Sequence, residues 1–262
     1  MATVDGRDAT AAELGALALT GFGHFTSMHV ESGAVRGLDL HLDRLTRDCK
    51  AVFDADLDRS HLLAQIREAV TAEPGDYTLR VTVFDPQITL GNVGTVEARP
   101  VSLITTRASA PGGLQPLRAK TVAFQRDTPE VKHVGLFSQL HHRVAAKRSG
   151  FDDVLFVDPA SGRVSEGSTW NIGFVTDGGQ VVWPEAAVLP GVTMALLTAA
   201  DASHVTRAVS VADASRMRAA FATNASIGVR PIELIDGHEF DVEDPVVVAL
   251  QKTYREIPAQ RP

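Results

Sequence analysis

Apolar residues recur along this chain with two alternating periods. Leu42, Leu45, Cys49 and Val52-Phe53 fall at helical spacing, as do Leu62, Ile66 and Val70 behind the cap candidate Ser60. Residues 25–30 and 34–36 flank Ser32-Gly33 and predict a hairpin. Residues 77–84 and 101–105 are rich in Val, Thr and Ile and predict strands. Residues 108–116 carry Pro and Gly without an apolar period and predict a connection.

Beyond it the pattern predicts a strand at 121–124. A helix follows, with Leu136, Leu140 and Val144 on one face and Gly150 as its stop. Short strands are expected at 154–157, 164, 172–175, 181–183, 221–223 and 232–235, with helices from Gly191 to 200 and over 246–254. Short hairpin-linked strands mixed with helices predict an α+β chain of two domains, 1–106 and 120–262, joined through 107–119.

Composition narrows the function classes. With 44% hydrophobic and 22% charged residues the chain has ordinary globular content. A formal charge of −7 disfavours nucleic-acid phosphates as partners. No apolar run has the length of a membrane span, and the N-terminus lacks a signal pattern, so no membrane partner is expected. The single cysteine, Cys49, fits a packed residue in a reducing, cytoplasmic setting. Gly21-Phe-Gly23 does not complete a dinucleotide fingerprint, and the nine histidines form no ligand-spaced pair, so no metal is expected.

Four places carry chemistry. Lys132 sits between a strand and a helix, where an amine can condense with an aldehyde once deprotonated. Glu166 ends a strand in Val-Ser-Glu-Gly-Ser, a carboxylate suited to a protonated ring nitrogen. Leu189-Pro-Gly-Val-Thr193 opens a helix whose free N–H groups suit a phosphate, and Arg44 supplies a guanidinium for the same oxygens.

The ordered set His41-Leu-Asp-Arg-Leu45, Lys132, Glu166-Gly-Ser168, Asn171, Pro190-Gly-Val-Thr193 and Thr223-Asn-Ala-Ser followed by Val-Arg-Pro-Ile232 resembles the class IV (fold type IV) aminotransferases. That group takes in branched-chain and D-amino-acid aminotransferases, (R)-amine transaminases and aminodeoxychorismate lyase. The resemblance spans roughly residues 20–237. It implies a two-domain fold with mixed sheets and helices, a pseudo-barrel in the second domain, an active site between the domains, a homodimer, and pyridoxal 5′-phosphate as cofactor. It further implies Lys132 as the Schiff-base lysine and proton shuttle, and Glu166 as the pyridinium partner. Arg44, Val192, Thr193, Asn224 and Ala225 would hold the phosphate. Asn171, the family's structural asparagine, completes the cofactor-binding set.

The implied reaction moves an amino group between a small amine or amino acid and a keto acid by a ping-pong mechanism. The alternatives are a lyase of the aminodeoxychorismate type and a catalytically silent relative that binds the cofactor. Two departures bear on the choice. Gly135, Leu136 and Phe137 stand where the family carries Asn, Tyr or Arg. Asp85-Pro86 stands where many relatives have an arginine for a substrate carboxylate.

Overall fold

The computed structural model describes residues 2–109 and 114–262. Backbone packing divides the chain into two compact units, one of Met1–Pro111, Val131–Gly135 and Pro258–Pro262, the other of Gly112–Glu130 and Leu136–Ile257. Residues 110–113 of the expected connection lie outside the described residues. The short segment bearing Lys132 belongs with the first unit, although the chain around it builds the second.

The first stretch runs β1 (Ala2–Val4), β2 (Arg7–Asp8), α1 (Ala11–Thr20), β3 (His24–Glu31), β4 (Ala34–Arg36), α2 (Leu38–Phe53), α3 (Arg59–Ala72), β5 (Tyr77–Phe84) and β6 (Val101–Ala108). The second runs β7 (Leu117–Ala123), α4 (Phe137–Arg148), β8 (Asp153–Val157), β9 (Val164–Gly167), β10 (Asn171–Val175), β11 (Val181–Pro184), α5 (Val192–Ala200), β12 (Val205–Arg207), α6 (Val211–Ala214), β13 (Ala219–Asn224), β14 (Gly228–Ile235), β15 (His238–Glu239) and α7 (Pro245–Glu256). A last strand, β16 (Ala259–Gln260), returns to pair with β4.

In the first unit a sheet of order β16-β4-β3-β5-β6-β1-β2 is covered on one face by α2 and α3. Met28 and Val30 of β3, Leu79, Val81 and Val83 of β5, and Ile104 of β6 pack there against Leu42, Leu45 and Cys49 of α2 and Leu62 and Ile66 of α3. Side chains alternate along a strand, so Phe25, Arg80 and Thr82 lie on the opposite face. Cys49 is buried in this core, and burial raises its thiol to about 11, as befits a packed residue.

Residues 2–20 carry β1, β2 and α1, for which the apolar pattern gave no expectation; α1 is mostly Ala and Leu and has no polar face to reveal its period. The cap of α3 is Asp58 rather than Ser60: its carboxylate accepts from the N–H groups of Ser60 and His61.

The second unit closes on itself. Strands β10-β13-β14-β7-β8-β9 follow one another, and β9 pairs back to β10 through a single register, Asn171 opposite Glu166. Its core gathers Leu155, Trp170, Ile172, Phe174, Ala220, Ala222 and Ile232. Strand β7 begins at Leu117, earlier than the expected 121, because Leu117 pairs with Ile232 of β14. Helix α4 forms as expected, but its buried residues are Gln139 and Ala146, while Leu140 and Val144 are exposed. The apolar face therefore does not mark the packed one here.

Candidate active site

The first-unit residues are organised around α2. Arg44 is buried and donates to Thr26 Oγ1 of β3. Arg44 Nη2 also lies 3.2 Å from His41 Nδ1, which must accept from a group that can only donate, so Thr26 Oγ1 donates its hydroxyl hydrogen to the same nitrogen at 2.7 Å. His41 is therefore neutral with its proton on Nε2. Burial first, then Arg44 and Lys132, push its imidazole well below the ordinary value. Burial also draws the Arg44 guanidinium down to about 10, against the opposing pull of Asp48. Arg44 Nε and His41 Nε2 are buried and have no hydrogen-bond partner among the described residues. Asp43, the residue before Arg44, pairs with Arg59.

Lys132 lies on a segment that extends the same sheet by one bridge, His133 opposite His24. The N–H of Phe25 donates to Lys132 O at 2.8 Å, and the N–H of Val134 donates to Gly23 O at 2.9 Å. Only glycine fits at position 23, since a Cβ there would stand 2.6 Å from the Val83 carbonyl oxygen. Lys132 Nζ sits 4.9 Å from the centre of the Phe25 ring, and the Arg80 guanidinium sits 3.6 Å from the same ring. Burial, with Arg107 nearby, lowers Arg80 to about 10. Asp85 is committed elsewhere: its carboxylate accepts from the N–H groups of Gln87 and Arg99 and ties down the loop after β5.

In the second unit, strand register does the assembling. Glu166, Asn171 and Thr223 are opposite one another on β9, β10 and β13, so their side chains share a face. Glu166 is buried; Arg126 Nε donates to its Oε1 at 2.8 Å and Leu189 N to its Oε2 at 3.1 Å. Asn171 Nδ2 donates to the carbonyl of the same Leu189 at 2.8 Å. Its Oδ1 presses so close to Gly191 that a Cβ there would lie 1.9 Å away. Gly191 is the N-cap of α5 and brings no side-chain cap, which leaves the first N–H groups of that helix to another acceptor. Val192 and Thr193 are buried on its first turn. Asn224 and Ala225 sit half-buried at the turn after β13, where Asn224 Oδ1 accepts from Ser226 and Ile227 and its Nδ2 donates to Thr169 O.

Arg44 and Lys132 thus share one frame in the first unit, and Glu166, Asn171, Val192, Thr193, Asn224 and Ala225 share another in the second. Gly135 is exposed, Leu136 precedes α4 as its N-cap, and Phe137 is 79% exposed and stacked on His141. Arg126, Thr26, Asp48 and Thr223 escape a reading of the sequence as site residues. Asp48, one helical turn after Arg44, and Thr223, in the Thr-Asn-Ala-Ser run, each left a local trace.

No curated protein matches this chain. Among solved structures, 4-amino-4-deoxychorismate lyase from Pseudomonas aeruginosa is 26% identical with a TM-score of 0.82, the match covering 98% of each chain. A branched-chain aminotransferase from Thermoproteus uzoniensis is 23% identical, TM-score 0.82, over 97% of this chain and 93% of that one. A hypothetical aminotransferase from Mycobacterium tuberculosis, solved in a PLP-bound form, is 17% identical, TM-score 0.82, over 97% of each. The family model for amino-transferase class IV matches residues 23–235, so the chain belongs to the class IV aminotransferases, pyridoxal-phosphate-dependent enzymes.

Proposed function

We propose that this enzyme transfers an amino group between a small amine or amino acid and a keto acid in two half-reactions, with Lys132 and Glu166 acting on one pyridoxal phosphate. The observation that carries this reading is the buried Glu166 carboxylate, held on one oxygen by Arg126 and on the other by Leu189 N. A fixed, charged acceptor suits a protonated ring nitrogen. When bound, the cofactor supplies an aldehyde for the amine and a ring that draws electrons from the adjoining carbon.

The residues fit the phosphate as well. The Oγ1 atoms of Thr193 and Thr223 are buried with no hydrogen-bond partner among the described residues, and α5 begins uncapped. Val192 and Thr193 would give the dianion their N–H groups, Thr193 its hydroxyl, and Arg44 a guanidinium, and the Asn224-Ala225 turn would complete the set. Asn171 holds Leu189 and Gly191 in place ahead of that helix. Lys132 would move the proton at the reacting carbon, its amine steered by the Phe25 ring. Arg80, on the same ring, offers a cation for a substrate carboxylate in place of the arginine missing at Asp85.

The test is covalent. Incubation with the cofactor, reduction with borohydride and peptide mapping should place the label on Lys132, and Lys132→Ala should stay folded and carry none. Label retained elsewhere in the variant overturns the assignment. A lyase is the second reading, favoured by the 26% identity to 4-amino-4-deoxychorismate lyase. Release of pyruvate from aminodeoxychorismate without an amino acceptor would select it. We also propose a cytoplasmic homodimer; a monomeric mass with full turnover would refute the dimer.

A further inference from the structure

Asp48 lies one helical turn beyond Arg44 on α2, fully buried. Its two oxygens have different duties. Oδ1 accepts from Arg47 Nε at 3.0 Å and Nη2 at 2.7 Å, while Oδ2 accepts the backbone N–H of Lys132 at 3.0 Å. The Lys132 carbonyl is taken by Phe25 N, so both backbone groups of that residue are anchored, one to the helix and one to the sheet.

A carboxylate placed in a core is costly unless paired and hydrogen-bonded. An asparagine could accept one N–H at lower cost. What the carboxylate adds is reach in two directions, with Arg47 fixing one oxygen so that the other points at a single N–H. Residues four apart on a helix share a face, so Arg44 and the anchor of Lys132 are held at a fixed offset by one rigid element.

We propose that Asp48 is a positioning residue for Lys132, clamping the lysine's backbone to the helix that carries Arg44. The proposal rests on the reading of Lys132 as the residue that takes the cofactor's aldehyde. Asp48 touches no reacting atom in this scheme; it acts by denying the Lys132 backbone its freedom to shift.

The full-length cofactor-free protein is compared with Asp48→Asn, which keeps an acceptor at the same reach, and Asp48→Leu, which keeps volume alone. Amide exchange at Lys132 is followed by NMR with Val81, in the core strand β5, as reference. The rate of label trapping on addition of pyridoxal phosphate and borohydride is measured in parallel. In Asp48→Leu the Lys132 amide should exchange about tenfold or more faster, since a hydrogen bond to a charged group is lost. Val81 should be unmoved and trapping should slow by a similar factor. Asp48→Asn should restore most of both.

Unchanged Lys132 exchange in Asp48→Leu overturns the proposal, and so does an acceleration that Val81 shares equally, which would mark a general loss of stability. Should Asp48→Leu fail to fold, Asp48→Ser, too short to span the gap, takes its place under the same criteria. A parent label that maps away from Lys132 overturns the underlying reading instead, whatever the amide shows.

Discussion

Arg126 Nε stands 2.8 Å from Glu166 Oε1, and both side chains are only 7% exposed. The same guanidinium donates through Nη2 to the Pro129 carbonyl, three residues before Lys132 in the chain. Glu166 is therefore half of a buried ion pair, and what its substitution does must be reckoned with Arg126 left behind.

Glu166→Gln should lower kcat and kcat/KM together, by on the order of 10²-fold, because a neutral partner leaves the ring nitrogen a weaker electron sink. From sequence alone this variant is expected to keep its shape and cofactor binding. The ion pair adds to that expectation: loss of the carboxylate strands a buried guanidinium, at a cost of about 3–5 kcal/mol. Steady-state kinetics together with denaturant unfolding of the cofactor-free protein check both parts, and unaltered single-turnover rates would remove Glu166 from the mechanism.

The pair itself can be separated from its chemistry. Arg126→Met should destabilise by a similar amount, whereas the double variant Arg126→Met/Glu166→Leu should recover much of the loss, since apolar replacement of a buried pair is often neutral or stabilising. Activity should stay low in the double variant, since the carboxylate is still missing. Unfolding midpoints of the two singles and the double form the required cycle, and simple additivity would argue against direct coupling.

Thr193→Val tests the phosphate seat by sign as well as size. The Thr193 hydroxyl is buried without a partner among the described residues, so its removal should leave the cofactor-free protein equally stable or slightly more so. The Kd for pyridoxal phosphate should nevertheless rise about tenfold, the worth of one hydrogen bond to a charged group. Isothermal titration and thermal unfolding measure the two effects separately. A stability loss with unchanged Kd would contradict the assignment.

Acid should weaken the first unit through its histidines. Burial lowers His24 from 6.5 to about 3, with Arg47 adding to the effect, and His41 is pushed down too. A native state that keeps these rings neutral binds fewer protons than the unfolded chain, so their contribution is present above about 6.5 and is lost as pH falls towards the native value. For His24 the loss is about 1.4 kcal/mol per pH unit, or about 2 kcal/mol between pH 6.5 and 5. His24→Leu should lose less stability than the parent between pH 7.5 and 5 in denaturant titrations; parallel pH profiles would refute it.

The apolar periods sufficed for α2 and α7 because each buries one regular face, β-branched content sufficed for β5, which is buried on both faces, and Pro-Gly-Val-Thr gave a local signal for the turn before α5. They did not suffice for α4, whose Leu140 and Val144 stay exposed, since which face packs depends on what lies beside the helix. Phe137, in a position where relatives carry a polar residue, likewise proves to be a surface residue stacked on His141.

On its own, the sequence determined the candidate site residues and their order: Lys132, then Glu166, then the Gly191-Val192-Thr193 helix start, with Arg44 ahead of them all. Those features are legible because backbone conformation and short motifs are set by neighbours along the chain. Tertiary structure alone decided the company they keep. Arg126 reaches Glu166 across 40 positions, and Asp48 reaches the Lys132 amide across 84. The closing bridge from β9 to β10 puts Glu166 opposite Asn171, and β13 adds Thr223. Such pairings follow from sheet register and barrel closure, where a shift of one residue would turn every one of these side chains to the other face.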